Sequence, residues 1–458
     1  MGETEGKGLS RITSRVKWEY LGLIIPELYV WGMLHTEGVD AVGVPMFITM
    51  GCAMLLACAL AKSAHGFLEF VLIWPVALFA GAGAIALLAS PDASVLAGIL
   101  AGIGATGLYL SWVPCYARID LRCAVACIFS AMLIGMILRI PFDMLPTGAH
   151  CLVLALAPLA NPLMLKRALA NPLPQGRPPQ IYFGNAFESP PLKILLGVAV
   201  CAFIIGIAPS MAATPSPTPR FELSLVHHLS EALAAGMILW WVFYFRGKLH
   251  LTNMWRAIVI LLATSLFFMP TLGADWIGWT LVLMAVGQTL LVNVMLAMLS
   301  DAARHCSDSP YLVFGGAWIA YAAPLALGML VGPIIYQQPN TEFLITLLAY
   351  ALTLAAILTL NDRNFVESRI FRDLDVPDTE TAMFENIDTQ CDNLAGVYGL
   401  TGRETEVMKL LVKGRSKSYI AEELIISENT VRSHARHIYK KLDVHSKQDI
   451  MDLLMEQS

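Results

Sequence analysis

Three cations near the end of the chain, Arg432, Arg436 and Lys440, recur at four-residue intervals. On an α-helix that spacing lays them in one stripe. Val431, Ala435, Ile438 and Leu442 fall at i, i+4, i+7 and i+11, which gives the same helix an apolar face beside the stripe. Such a helix suits nucleic acid. The apolar back seats it on partner helices, and the cationic front meets phosphates and guanine edges in a major groove. Residues 427–442 hold four Lys/Arg against one Glu, whereas residues 400–458 hold ten Lys/Arg against nine Asp/Glu. The positive charge is thus focused on one face, and non-specific affinity is expected to be moderate and salt-sensitive.

The elements that must position this helix are legible around it. Thr401 followed by Glu404 predicts a capping box that opens a first helix, with Val407, Leu410 and Leu411 inward and Gly414 as its stop. Ser416 caps a second helix carrying Ile420, Ala421 and Leu424. Ser427 caps the third, with Ile426 and Val431 as a hydrophobic staple. Ser446 and Asp449 open a fourth helix through Ile450, Leu453 and Leu454. The second helix, the turn and the third give a helix-turn-helix layout.

The string Ile420-Ala421-x-x-Leu424-x-Ile426-Ser427-x-x-Thr430-Val431-Arg432-Ser433-His434, continued by Ile438-Tyr439-x-Lys441-Leu442, strongly resembles the LuxR-type DNA-binding domain over some 55 residues from Leu400 to about Leu454. By that resemblance Arg432, Ser433 and Arg436 would face the major groove. Thr430, His437, Lys440, Lys441 and Lys417 would lie near phosphates. The resemblance also implies that the fourth helix contributes to pairing of two such domains. Lys417-Ser418-Tyr419 departs from the Asn-Lys-Glu-like run frequent in the family, which bears on the phosphate contacts of the second helix.

A second set of chemically able residues lies in a very different setting. Of the 30 Lys/Arg, 13 fall after Leu360, so the first 360 residues hold only 17. Over the whole chain 57% of residues are hydrophobic, 14% are charged and the mean hydropathy is +0.63. That composition excludes both an ordinary soluble globule and a disordered chain, and it points to a polytopic membrane protein. Apolar windows place spans near 18–35, 42–62, 67–89, 94–113, 122–140 and 148–165, then 192–211, 225–246, 252–271, 275–299, 311–336 and 341–360. With the N-terminus inside, 15 loop and flanking cations fall on the cytoplasmic side and only Arg139 and Arg220 outside, so both termini are expected in the cytoplasm.

Within those spans, ionisable groups are costly and mark function. Glu27, next to Pro26, sits inside the first span and could hold a ligand amine, a proton or a coupling cation. Glu231 follows His227 and His228 in the eighth span, a grouping suited to sensing a polar ligand or pH. Gln288 and Asn293 in the tenth span are positioned either to contact ligand or to bond between helices. Trp18, Tyr20 and Trp279 are expected at the membrane interface, and small-xxx-small pairs are expected to pack helices. Nine scattered cysteines form no C-x-x-C pair; Cys123 and Cys127 read as small apolar residues rather than metal ligands. No catalytic motif emerges, and neither cofactor nor metal is expected.

Six prolines in residues 171–191 divide the spans six and six. Two six-helix halves joined by a central cytoplasmic loop resemble the major facilitator superfamily over about 340 residues. The family's Gly- and Arg-rich motif between spans two and three is absent; that loop reads Ala61-Lys62-Ser63-Ala64-His65-Gly66.

The expected architecture is all-α. A cytoplasmic N-terminus (1–17) leads into a twelve-helix membrane domain (18–360). An acidic linker (361–396) then connects to the helix-turn-helix domain (397–458). The expected function is a bacterial regulator in the inner membrane. It would sense an unknown small molecule through the bilayer-embedded domain and bind double-stranded promoter DNA as a homodimer through the tail. The alternative is a secondary transporter of the major facilitator type with a fused regulatory tail.

Overall fold

A computed structural model describes residues 15–37, 39–173, 181, 183–186, 192–211, 220–243, 251–271, 276–340, 343–348, 350–352, 391–392, 394–396, 398–412, 416–424, 426–444, 446, 449–450 and 453. The chain divides into two compact units, Met1–Leu374 and Asp375–Ser458, each with its own apolar core. The described residues are helical apart from turns and one isolated bridge, Phe183 to Cys306, where the central loop meets the loop after the tenth span.

In the first unit, helix occupies described residues in every expected span. Seven helices are long and apolar enough to cross a membrane by length and composition. We label α1 Ile24–Glu37, α2 Val44–Ser63, α3 Trp74–Ala89, α4 Ser94–Leu110, α5 Leu121–Asp143 and α6 Thr147–Ala170. The second set is α7 Leu192–Met211, α8 Arg220–Phe243, α9 Leu251–Thr271, α10 Ile277–Arg304, α11 Pro310–Tyr336 and α12 Phe343–Leu352.

Prolines set several boundaries. The span expected at 67–89 is broken into His65–Val71 and α3, with Pro75 in the first turn of α3 where its missing N–H costs nothing. Helix α6 is interrupted by a 3-10 turn, Ala157–Leu159, around Pro158. The first span is likewise a 3-10 turn, Trp18–Leu21, followed by α1, so Pro26 and Glu27 fall in the first turn of α1.

Close helix contacts use the small residues. A Cβ at Gly206 of α7 would stand 2.2 Å from the Leu325 carbonyl oxygen, and one at Gly328 of α11 would stand 2.1 Å from that of Phe203. The two backbones therefore touch reciprocally, as small residues permit in lipid. Buried polar groups are satisfied across helices: Trp112 Nε1 donates to Asn161 Oδ1 at 2.7 Å, and Tyr29 OH donates to the Ala80 carbonyl at 2.7 Å. Tyr20, expected at the interface, is instead buried and donates to the Ala168 carbonyl, because the Trp18–Leu21 turn folds it inward.

The second unit contains α13 Gly402–Val412, α14 Lys417–Glu423 and α15 Glu428–Leu442, with helix again at residues 449, 450 and 453. The helical core reaches further upstream than the expected linker end at 396. Residues 391, 392 and 394–396 are helical, and Cys391, Leu394 and Ala395 are buried with Val407, Ile420, Val431 and Ile438. The acidic composition of 361–399 masked this short apolar turn. The rest of the expected linker, residues 361–390, and Gly414 lie outside the described residues.

Candidate functional site

The second unit builds its exposed cationic face from local signals. Ser427 accepts a hydrogen bond from Thr430 N at 3.1 Å and so caps α15, while the two hydroxyls sit 2.8 Å apart. At the other end Asp443 adopts a left-handed conformation (φ 54°), and Val444 N bonds back to the Tyr439 carbonyl, closing the helix. Val431, Ala435, Ile438 and Leu442 are all buried. That burial turns Arg432, Ser433, Arg436, His437 and Lys440 outward, all of them exposed. Arg432 has only a loose partner, Glu428, at 3.9 Å. Thr430 is half-buried at the helix start, and Lys417 is exposed at the start of α14, which Ser416 caps through Tyr419 N.

Lys441 is placed differently from its neighbours. Its ammonium lies 2.7 Å from Glu404 Oε2 and donates to the Gly399 carbonyl at 3.0 Å. It therefore ties α15 to the start of α13. Glu404 is the second half of the capping box: it accepts from Thr401 N at 2.8 Å while Thr401 Oγ1 accepts from Glu404 N at 3.3 Å. Burial pushes the Glu404 carboxyl up, but the Lys441 ammonium and the Thr401 donors outweigh it and hold the group at about 2. His437 Nδ1 stands 3.9 Å from the same carboxylate. Sequence spacing reveals the capping box but not the cation that completes it, 37 residues away. The fourth helix opens on a similar box, with Ser446 N and Oγ donating to the Asp449 carboxylate.

The first unit brings its six candidate residues into one polar seam. Glu27, Gln288 and Asn293 line a cavity of about 470 Å³ together with Trp31, Tyr109 and Tyr321. The cavity lies between α1 and α4 of the first six helices and α10 and α11 of the second six. Gln288 Nε2 donates to Tyr321 OH at 3.0 Å, and Asn293 Nδ2 donates to the Thr289 carbonyl at 2.9 Å. Both Glu27 carboxylate oxygens and Asn293 Oδ1 are buried without a well-formed hydrogen bond. Ligand-binding sites take this form, apolar and aromatic walls with a few convergent polar groups.

Thr289 carries the seam onward: it lines the cavity and its hydroxyl donates to Glu231 Oε1. Beside Glu231 stand His227 and His228, and His228 Nε2 lies 2.7 Å from Asp143 Oδ2 at the end of α5. Arg139, one turn before Asp143, is buried under the Trp31 ring at 5.2 Å and faces Glu231, Asp143 and Glu27. Arg139 and Asp143 were not among the sequence candidates; their i, i+4 spacing at the end of a span was the available signal. Glu69 lies apart from this seam and is exposed.

Comparison with known proteins agrees with the two units separately. Residues 399–454 match the family of bacterial regulatory proteins of the luxR type. The response regulatory protein YgeK of Escherichia coli K12 is 37% identical over 67 residues, 14% of this chain and 46% of that protein. A nitrate/nitrite response regulator homolog of Haemophilus influenzae is 42% identical over 59 residues, 13% of this chain and 28% of that protein. The oxygen regulatory protein NreC of Staphylococcus haemolyticus is 39% identical over 57 residues, 12% and 26% of the respective chains. The chain thus spans less than half the length of these curated relatives.

Among solved structures, the human organic anion transporter MFSD10 aligns with a TM-score of 0.54 at 14% identity, covering 76% of this chain and 98% of that one. A bacterial homologue of the iron transporter ferroportin, in an outward-facing state, aligns at 0.51 and 13% identity, covering 75% and 99%. These likenesses concern the fold. The C-terminal unit is a LuxR-type helix-turn-helix domain, and the membrane unit has the helical architecture of major facilitator transporters.

Proposed function

We propose that the chain is a membrane-integral bacterial transcription regulator that senses a small molecule with its membrane unit and binds promoter DNA with its LuxR-type unit. The observation that carries this reading is their union in one chain. One unit exposes Arg432 and Arg436 on a capped, core-seated helix, and the other buries a polar cavity around Glu27. Transcription regulation follows from the type of the C-terminal domain. Arg432, Ser433 and Arg436 read base edges; Thr430, His437, Lys440 and Lys417 hold phosphates. Lys441 would contribute to a phosphate only by sharing its ammonium with Glu404.

The proposed signal is a population shift. Glu27 and Trp31 belong to the first six helices, and Gln288 and Asn293 to the second six, so a ligand in the cavity has a different affinity for each arrangement of the halves. In the inner membrane with both termini cytoplasmic, that difference sets how freely the tails meet DNA as a pair.

The test is a reporter driven by a promoter recovered with the full-length protein, read across a small-molecule panel. A compound that changes output is expected, and Glu27→Gln or Asn293→Ala should shift its dose response at least tenfold. Output that ignores every compound, with the reporter still bound, would remove the sensor role. The transporter fold and the buried Glu27 favour one second reading, transport. Uptake into proteoliposomes that is lost in Glu27→Gln would establish it.

A further inference from the structure

We propose that His227, His228 and Glu231 form a binding site for a divalent first-row transition-metal ion. The three stand on α8, and their ligand atoms all lie within 4.8 Å of one another. Side-chain exposure is 0% for Glu231, 1% for His228 and 15% for His227, so the cluster is enclosed with one edge open for an ion to enter.

The hydrogen-bonding pattern points to a ligand. His227 Nε2, His228 Nδ1 and Glu231 Oε2 are buried without a hydrogen-bond partner. These are the atoms a metal takes. The other atoms of the same side chains are occupied: His228 Nε2 lies 2.7 Å from Asp143 Oδ2 and 3.2 Å from Ser224 Oγ, and Glu231 Oε1 receives Thr289. A carboxylate on the far nitrogen fixes the imidazole tautomer whose lone pair is directed at an ion. Asp143 thus orients His228 as outer-shell carboxylates orient metal-bound histidines.

Charge leads to the same ion class. Glu27, Asp143 and Glu231 face one guanidinium, Arg139, in this part of the bundle. With neutral imidazoles, which metal binding requires, two negative charges are left over, and a divalent cation cancels them. Two imidazoles and a carboxylate select zinc-like ions over Ca²⁺ and Mg²⁺, which take all-oxygen shells. A tetrahedral ion at about 2.0–2.1 Å from each ligand would draw the three atoms to about 3.4 Å apart. That contraction would tighten α8 against α5, through Asp143, and against α10, through Thr289. Helix α5 belongs to the first half and α8 and α10 to the second, so the ion would bias the arrangement of halves. That last consequence rests on the sensor reading above; the binding itself does not.

The test uses full-length protein in detergent, stripped with a chelator and titrated with Zn²⁺ alone, with Mg²⁺ as comparison. One Zn²⁺ per chain is expected, bound at least 100-fold more tightly than Mg²⁺, with imidazole and carboxylate neighbours in its X-ray absorption spectrum. Asp143→Asn should weaken binding 10–100-fold. The double change His227→Ala, His228→Ala should abolish it. His150→Ala should change nothing, because His150 Nε2 instead meets the Gly32 carbonyl at 3.2 Å. Wild-type protein that takes up no Zn²⁺, uptake that survives the double change, or a thiolate or all-oxygen shell overturns the proposal. The wild-type spectrum decides even where the double variant fails to fold. Reporter output read with and without Zn²⁺ separates the two readings: Zn²⁺ bound with output unchanged keeps the site and removes its part in signalling.

Discussion

Lys441 Nζ and Glu404 Oε2 lie 2.7 Å apart, although 37 residues separate them in the chain. The pair fixes the end of the recognition helix α15 to the capping box of α13. Glu404 is held at about 2, well below its ordinary 4.5. A carboxyl depressed on folding stabilises the folded state fully above the unfolded value and loses that contribution as pH falls through the folded value. Folding of the C-terminal unit should therefore weaken between about pH 4.5 and pH 2. Hydrogen exchange of α13 and α15 in the full chain, followed against pH, checks this. Glu404→Gln should lose protection at neutral pH and flatten the acid dependence; an unchanged profile would show that the pair does not hold the two helices.

The exposed cations of α15 should divide by role. Arg432→Glu or Arg436→Glu should cost roughly 1–3 kcal/mol of sequence-specific affinity for each lost base contact. Lys440→Ala should weaken all duplexes alike and reduce the salt slope by about 1. The measurement is binding of full-length protein to a duplex it selects from a random pool, compared with a scrambled duplex at several salt concentrations. Specific binding retained by an Arg432→Glu, Arg436→Glu variant would displace α15 from the recognition role.

Backbone contact between α7 and α11 gives a prediction about the membrane unit. Gly206→Val should break the packing, because even its Cβ would stand 2.2 Å from the Leu325 carbonyl oxygen. Gly236→Ala on α8 should be tolerated, because a Cβ there meets nothing within 4 Å. Thermal unfolding in detergent should show a markedly lower midpoint for the first and little change for the second. Equal midpoints would mean that α7 and α11 do not rely on this approach.

The sequence by itself determined the all-α architecture, the helix-turn-helix layout and the outward stripe of α15. Each is written in short-range periodicity: a 3.6-residue repeat buries Val431, Ala435, Ile438 and Leu442, and that leaves Arg432 and Arg436 outside. Caps such as Ser427 with Thr430 are also local, since donor and acceptor lie within one turn. The short helix around Leu394 was hidden because a few apolar residues among many acids carry no sustained period.

Tertiary structure alone decided which distant groups meet. Pro26 and a preceding 3-10 turn set Glu27 at the start of α1, opposite Gln288 and Asn293. Packing of α5 on α8 brought Asp143 to His228, and the α13–α15 contact gave Glu404 to Lys441. Hydrophobic periodicity states that a helix is buried but not against which neighbour or at what rotation. Polar partners supplied from another helix are fixed only when the bundle packs, and the cavity, the His–Glu–Asp cluster and the Lys441 tie all depend on such partners.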